Sequence, residues 1–150
     1  MKKSLLTYST VDGQTEVICK KIASYYDDHD IDILPISSSI NLDIYRTVVI
    51  GASIRYGKYR NEIYDFIETN LDSLNKMDNA FFSVNVVARK PEKSTPETNP
   101  YVIKFLNKIN WKPKNIGVFA GRIDYPKYKL IDKYAIKSVS YTHLRAHETS

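Results

Sequence analysis

At 150 residues the chain is long enough to bury one substantial core, and a single domain is the expectation. Hydrophobic residues at 43% and charged residues at 26% are the proportions of a folded globular protein and exclude a disordered or collagen-like chain. The balance of 22 lysines and arginines against 17 aspartates and glutamates gives a net charge of +5. That charge favours an anionic partner without choosing among nucleic acid, an acidic lipid surface and a carboxylated small molecule.

The lone cysteine, Cys19, cannot form an internal disulfide, and no CxxC or Cys/His cluster suggests a metal site, so a reducing cytoplasm is the expected setting. The opening Met1-Lys2-Lys3-Ser4-Leu5-Leu6 offers only two leucines before Thr7, too little for a secretory signal. No apolar stretch approaches the roughly 18 to 20 residues that span a bilayer, so any membrane contact is expected to be peripheral. The 12 tyrosines are scattered and form no RNA-binding strand signature, which argues against nucleic acid.

In chain order, residues 3–8 are short, apolar-centred and followed by turn formers, so they predict a strand. From Gln14 to about Tyr26, Val17, Ile18, Ile22, Ala23 and Tyr26 fall at helical spacing, with Asp12 or Gly13 near the N-cap. Residues 31–36 predict a second strand. Residues 47–51, Thr-Val-Val-Ile-Gly, carry no charge, as a central parallel strand covered on both faces requires. Ile63, Phe66, Ile67, Leu71 and Leu74 predict one helix from Arg60 to about Leu74. A strand over residues 80–87 follows. Thr98 then starts a helix whose apolar face is Tyr101, Val102, Phe105, Leu106 and Ile109, and residues 115–120 return as a strand. The outline βαββαβαβ predicts an α/β protein, a parallel sheet with helices on both faces in three layers.

Ligands of such a sheet bind beyond the C-terminal ends of its strands. There the first loop reads Ser9-Thr10-Val11-Asp12-Gly13-Gln14-Thr15. Backbone N–H groups, the helix dipole and the hydroxyls of Ser9, Thr10 and Thr15 can hold a phosphate, with Gly13 allowing close approach. The same residues also suit a plain helix-capping turn. The absence of G-x-x-x-x-G-K-[S/T] and of G-x-G-x-x-G counts against an NTPase and against a standard dinucleotide site.

Two further loops should open on the same crevice: Ala52-Ser53-Ile54-Arg55-Tyr56-Gly57-Lys58-Tyr59, and Asn85-Val86-Val87-Ala88-Arg89-Lys90 after the strand end near Val84. Tyr56 is the candidate for stacking on a flat ring, or for packing on the end of the sheet. No general acid or base stands out; His29 lies in a polar turn, and His143 and His147 lack a third ligand for a metal.

The phrases Val48-Val49-Ile50-Gly51-Ala52-Ser53-Ile54-Arg55-Tyr56-Gly57 and Ser83-Val84-Asn85-Val86-Val87-Ala88-Arg89-Lys90-Pro91-Glu92-Lys93 closely resemble the flavodoxin-like, menaquinone-dependent protoporphyrinogen IX dehydrogenases of bacterial haem biosynthesis. The first loop and Tyr125-Pro126-Lys127-Tyr128 fit the same family. The resemblance covers about residues 3–137 and implies a flavodoxin-like three-layer sandwich. It also implies FMN between the three loops, protoporphyrinogen IX as substrate, and menaquinone or another quinone as electron acceptor. The cofactor residues it implies are Ser9 to Thr15 in the first loop, Ala52, Ser53, Ile54, Tyr56 and Gly57 in the second, and Ser83, Val84, Asn85 and Val86 in the third.

Porphyrinogen propionates need cations, and Arg55 and Arg89 are the first candidates, although solvated loop charges are the plainer account of each. Residues 125–137 alternate lysines with Tyr128, Leu130, Ile131, Tyr134 and Ile136. This pattern suits either the cytoplasmic face of a membrane or a surface helix packed on the domain, and the resemblance favours the membrane. Residues 138–150 resemble a foreign tail standing where the family continues with one more strand and a closing helix. The expectation is therefore a C-terminally truncated FMN-binding domain over residues 1–137 that leaves its last strand as an apolar, uncovered edge.

Overall fold

A computed structural model describes residues 3–9, 13–24 and 30–120. Among these residues, five strands and four α-helices follow one another as β1 (Lys3–Ser9), α1 (Gln14–Ser24), β2 (Ile31–Pro35), β3 (Tyr45–Ser53), α2 (Asn61–Thr69), α3 (Leu71–Lys76), β4 (Asp78–Val84), α4 (Pro100–Lys108) and β5 (Ile116–Phe119). The strands form one sheet in the order β2-β1-β3-β4-β5 with every pairing parallel. The chain runs outward from β1 to β2, then crosses back over β1 to β3, so the winding reverses between β1 and β3.

Strand periodicity of two divides the apolar residues between the faces. Leu6, Tyr8, Val49, Phe82 and Phe119 share one core cluster with Ile18, Cys19 and Ile22 of α1. Their sequence neighbours Leu5, Val48, Ile50 and Phe81 share the other with residues of α2, α3 and α4 and with Trp111. Phe81 and Phe105 stack with centroids 4.5 Å apart, and Tyr59 lies 4.9 Å from Phe105. Each such pair adds about 0.5–1.5 kcal/mol beyond the area it buries. The three expected layers are present.

Four expected boundaries move. The helix expected over residues 60–74 is two helices, α2 and α3, broken at Asn70, whose backbone N–H and side-chain amide both donate to the Phe66 carbonyl, at 3.1 and 2.9 Å. An asparagine amide that satisfies the helix end in this way competes with helix continuation. The strand expected to reach Val87 ends at Val84, and Val86–Arg89 form a single 3-10 turn. The helix expected from Thr98 starts at Pro100, with Asn99 as its cap accepting from the N–H groups of Tyr101 and Val102. The third strand runs from Tyr45 to Ser53, well beyond residues 47–51.

Among the described residues β5 ends the sheet and pairs with β4 alone, while its side chains are covered on the faces. Val118, Phe119 and Ala120 are buried, Val118 and Ala120 within a cluster that includes Val102 and Ala88, and Phe119 edge-on to Phe82 at 5.6 Å. Residues 125–137, the tail at 138–150, the family's last strand and helix, His29, Thr10, Val11 and Asp12 lie outside the described residues.

One hydroxyl in the core is an apolar position in all but name. Thr7 is fully buried in β1 and its Oγ1 has no hydrogen-bond partner. A buried, unmatched polar group costs about 1–3 kcal/mol, and valine keeps the shape without it. Thr7→Val should therefore raise stability by about 1 kcal/mol, measured as a higher urea midpoint at unchanged slope. A lower midpoint would mean that the hydroxyl has found a partner.

Candidate functional site

The parallel register lines up the C-terminal strand ends. Ser9 pairs with Ala52, Ala52 with Ser83, Ser53 with Val84, and Val84 with Phe119. The loops after β1, β3 and β4 therefore open side by side at the point where the winding reverses, the place where doubly wound sheets take ligands.

In the first loop, Gly13 has φ +87 and open space where a Cβ would stand. This left-handed turn, which glycine adopts without steric cost, leads straight into α1, where the Val17 N–H donates to the Gly13 carbonyl at 3.1 Å. Thr15, in the first turn of α1, is fully buried, and its Oγ1 has no partner among the described residues. An unmatched hydroxyl at a helix N-terminus suits an anion, because the helix dipole and the free N–H groups point the same way. Ser9 is buried as well, and its Oγ donates to Glu62 Oε2 at 2.6 Å. The same Glu62 oxygen lies 3.7 Å from Arg60 Nε.

In the second loop, Arg55 and Lys58 exchange backbone hydrogen bonds at 2.8 and 3.0 Å across a two-residue turn. Both central residues are left-handed, Tyr56 at φ 52 and Gly57 at φ 77, as a type I′ turn requires. The Tyr56 ring is 89% exposed, so it stands clear of the sheet end. The Arg55 guanidinium sits 5.1 Å from its centroid. A hydrogen bond from Arg55, reinforced by its charge, draws the Tyr56 phenol below its ordinary range. The Ile54 N–H donates to the Val84 carbonyl at 3.0 Å and ties this loop to the third.

The third loop turns its polar side chains inward. Ser83 Oγ shares a 2.6 Å hydrogen bond with the Tyr59 hydroxyl and accepts from Asn85 Nδ2 at 2.9 Å. Asn85 and Asn99 donate to each other, at 3.2 Å from Asn85 and 2.8 Å from Asn99. Burial pushes the Tyr59 phenol well above its ordinary range, against the opposing pull of its bond to Ser83. Ser83 and Asn85 thus brace the loop from behind, whereas Val86 stands 67% exposed. Arg55 and Arg89 are both exposed, one on the second loop and one at the end of the turn after β4.

Three residues of this framework escaped the sequence reading: Glu62, Tyr59 and Asn99. Asn99-Pro100 carries a legible signal, since an asparagine cap ahead of a proline at the first helical position marks a helix start. For Tyr59 and Glu62 the partners are 24 and 53 residues away, and no local pattern announces them.

A five-stranded parallel sheet wound in this order defines a doubly wound α/β protein of flavodoxin-like topology. The chain belongs to the flavodoxin family: residues 5–150 match the family model described as flavodoxin domain. Among curated relatives, the protoporphyrinogen IX dehydrogenase [quinone] of Escherichia coli (strain K12) is 43% identical over 141 residues, covering 91% of this chain and 78% of the relative. The Leishmania major protein of the same name is 39% identical over 142 residues, covering 91% and 62%. Two solved structures share the fold. Oxidised flavodoxin 2 from Bacillus cereus superposes with a TM-score of 0.58 at 18% identity, covering 91% of this chain and 99% of that one. The Fusobacterium nucleatum flavodoxin bound to flavin mononucleotide gives 0.51 at 14% identity, covering 92% and 97%.

Proposed function

We propose that this chain is an FMN-dependent dehydrogenase that oxidises protoporphyrinogen IX to protoporphyrin IX and passes the electrons to a quinone, with menaquinone as the acceptor in haem biosynthesis. The observation that carries the reading is the shared strand-end register of Ser9, Ala52 and Ser83, which sets three loops on one crevice, in a chain 43% identical to a dehydrogenase of that name. FMN, when bound, supplies a carrier that takes two electrons from one partner and releases them singly or in pairs to another.

The chain's own residues bind and orient. Gly13 and Thr15, with Thr10, Val11, Asp12 and Gln14, cradle the phosphate at the start of α1, and the unmatched Thr15 hydroxyl fits that role. Tyr56 offers its exposed ring as a stacking face, and Val86 is a further exposed apolar side chain on the third loop. Ala52, Ser53, Gly57 and the backbone of residues 83–85 complete the crevice, and Arg55 and Arg89 attract the carboxylates of the substrate. Residues 125–137 meet the cytoplasmic surface of the membrane, where a quinone is reached. Among the described residues no helix is long and apolar enough to cross a membrane.

Two measurements test this function. The purified chain should carry, or take up, FMN with its visible absorption; a colourless preparation that refuses added FMN sinks the proposal. An anaerobic assay with protoporphyrinogen IX and a menaquinone analogue should then give turnover. Bound flavin without turnover would instead leave a flavodoxin-type electron carrier, a role that the net charge of +5 opposes, since such carriers commonly meet basic partners.

Glu62 gives a sharper local expectation. Its carboxylate holds the Ser9 hydroxyl at the rim of the phosphate loop and places a negative charge next to an anionic ligand. Glu62→Gln should tighten FMN binding about three- to tenfold at low salt, with the gain shrinking as salt is added. Flavin fluorescence titrations at two ionic strengths measure it; equal affinities for the two proteins would place the phosphate away from Ser9.

A further inference from the structure

A cavity of about 200 Å³ opens between α2, α4 and the turn after β3, and it shares Ile54 and Gly57 with the second loop. Three lysines line it: Lys58 from the turn, and Lys104 and Lys108 one helical turn apart on α4. Its other walls include the aromatic rings of Tyr64, Tyr101 and Phe105, and no carboxylate lines it. The described ion pairs involve Lys3, Lys20, Arg60 and Lys114, so none of the three is paired with an acid among the described residues. Lys108 Nζ instead sits 6.0 Å from the centroid of the Tyr64 ring.

Like charges four residues apart destabilise a helix, and a third cation brought up from another element adds to the repulsion. An anion seated among them removes that cost. Aromatic walls beneath a cationic rim further select the kind of anion: a carboxylate carried on an apolar arm rather than a bare, fully hydrated ion. The location completes the case. Gly57 and Lys58 line the cavity while Tyr56, the preceding residue of the same turn, projects its exposed ring. A ligand too large for the crevice can therefore extend past this turn and reach the lysines with a side arm.

We propose that this cavity receives a propionate arm of the tetrapyrrole, with Lys58, Lys104 and Lys108 as its cations. The proposal rests on the substrate reading above and adds to it a carboxylate subsite distinct from Arg55 and Arg89. A hollow of about 580 Å³ lies at the N-terminal ends of β3 and β4, but there Asp43, Asp72 and Asp78 alternate with Arg46 and Lys76, and the mixed signs select no anion.

The test uses the FMN-loaded full chain and protoporphyrin IX, titrated by porphyrin fluorescence. Lys104→Gln with Lys108→Gln should weaken binding of the free acid about tenfold, and Lys58→Gln, on a different element, should act in the same direction. Wild-type protein should bind protoporphyrin IX dimethyl ester about tenfold more weakly than the acid, and the variants should not weaken ester binding further. In turnover, the double variant should raise KM for the porphyrinogen and leave kcat unchanged. Equal affinities of wild type and double variant for the acid, or an ester that binds as tightly as the acid, overturns the proposal. All three lysines are exposed, so their replacement spares the core, and unchanged melting curves verify this. If the wild type binds FMN but does not oxidise porphyrinogen, the enzymatic reading falls on its own, and the porphyrin titration still decides the cavity.

Discussion

Thr15→Val lowers affinity for FMN about ten- to a hundredfold and leaves the melting temperature of the flavin-free protein unchanged or slightly raised. The two halves of this expectation come from one fact: the Thr15 hydroxyl is buried without a partner among the described residues. A hydrogen bond to a charged group contributes about 1.5–3 kcal/mol, and about 1.4 kcal/mol is a factor of ten in affinity. Valine has the same shape, so the packing beneath α1 is kept while the donor is lost. Quenching of flavin fluorescence gives the affinity and a thermal melt gives the stability. A variant that keeps wild-type affinity removes Thr15 from the phosphate site; one that loses affinity and stability together shows a packing defect instead.

Gly51→Ala should be the most damaging small substitution in the sheet. In an ordinary strand interior alanine outperforms glycine by roughly 0.5–1 kcal/mol. Here a Cβ on Gly51 would overlap the ring of Phe82, its cross-strand partner in β4. That ring is fully buried and meets Phe119 edge-on, so it has no room to withdraw. Overpacking of this kind costs about 1–3 kcal/mol, which outweighs the entropic gain. The expected fall in melting temperature is about 4–10 °C for a domain of this size. Adding Phe82→Leu to Gly51→Ala should recover part of the loss, so the pair should show a coupling of opposite sign to the single effects. Independent, additive effects would refute the contact.

Much of the fold could be read from the chain because its strands are short apolar runs between helical stripes. Leu5 and Leu6, Val48 and Val49, and Phe81 and Phe82 each divide between the two faces, which is the pattern of a sheet covered on both sides. Boundaries were less legible, for physical reasons. The third strand is lengthened by partners: Lys3 pairs with Tyr45 at one end and Ser9 with Ala52 at the other, contacts that composition does not announce. The break at Asn70 was hidden because Leu71 and Leu74 continue to pack into the same core after it, so the apolar rhythm runs through the interruption.

At the site, the topology rule found the three loops, since it needs only the strand ends. It did not reveal which way the side chains face. Ser83 and Asn85 have the residue types of ligand-binding groups, yet their hydrogen bonds go to Tyr59 and Asn99. The acceptor for Ser9 comes from α2, 53 residues along the chain. Polar residues announce that hydrogen bonds will be made; only the packed structure says with what.

The turn at Tyr56 carries a conformational cost that the fold does not repay. A type I′ turn is best served by Asn, Asp or Gly at its first central position, and a tyrosine held at φ 52 is a poor occupant on conformational grounds alone. Nor does burial explain it, because the ring gains almost no cover from the domain. A residue that neither suits its backbone nor strengthens the core stands there at a conformational cost, and what it offers in return is an open aromatic face beside the Arg55 guanidinium.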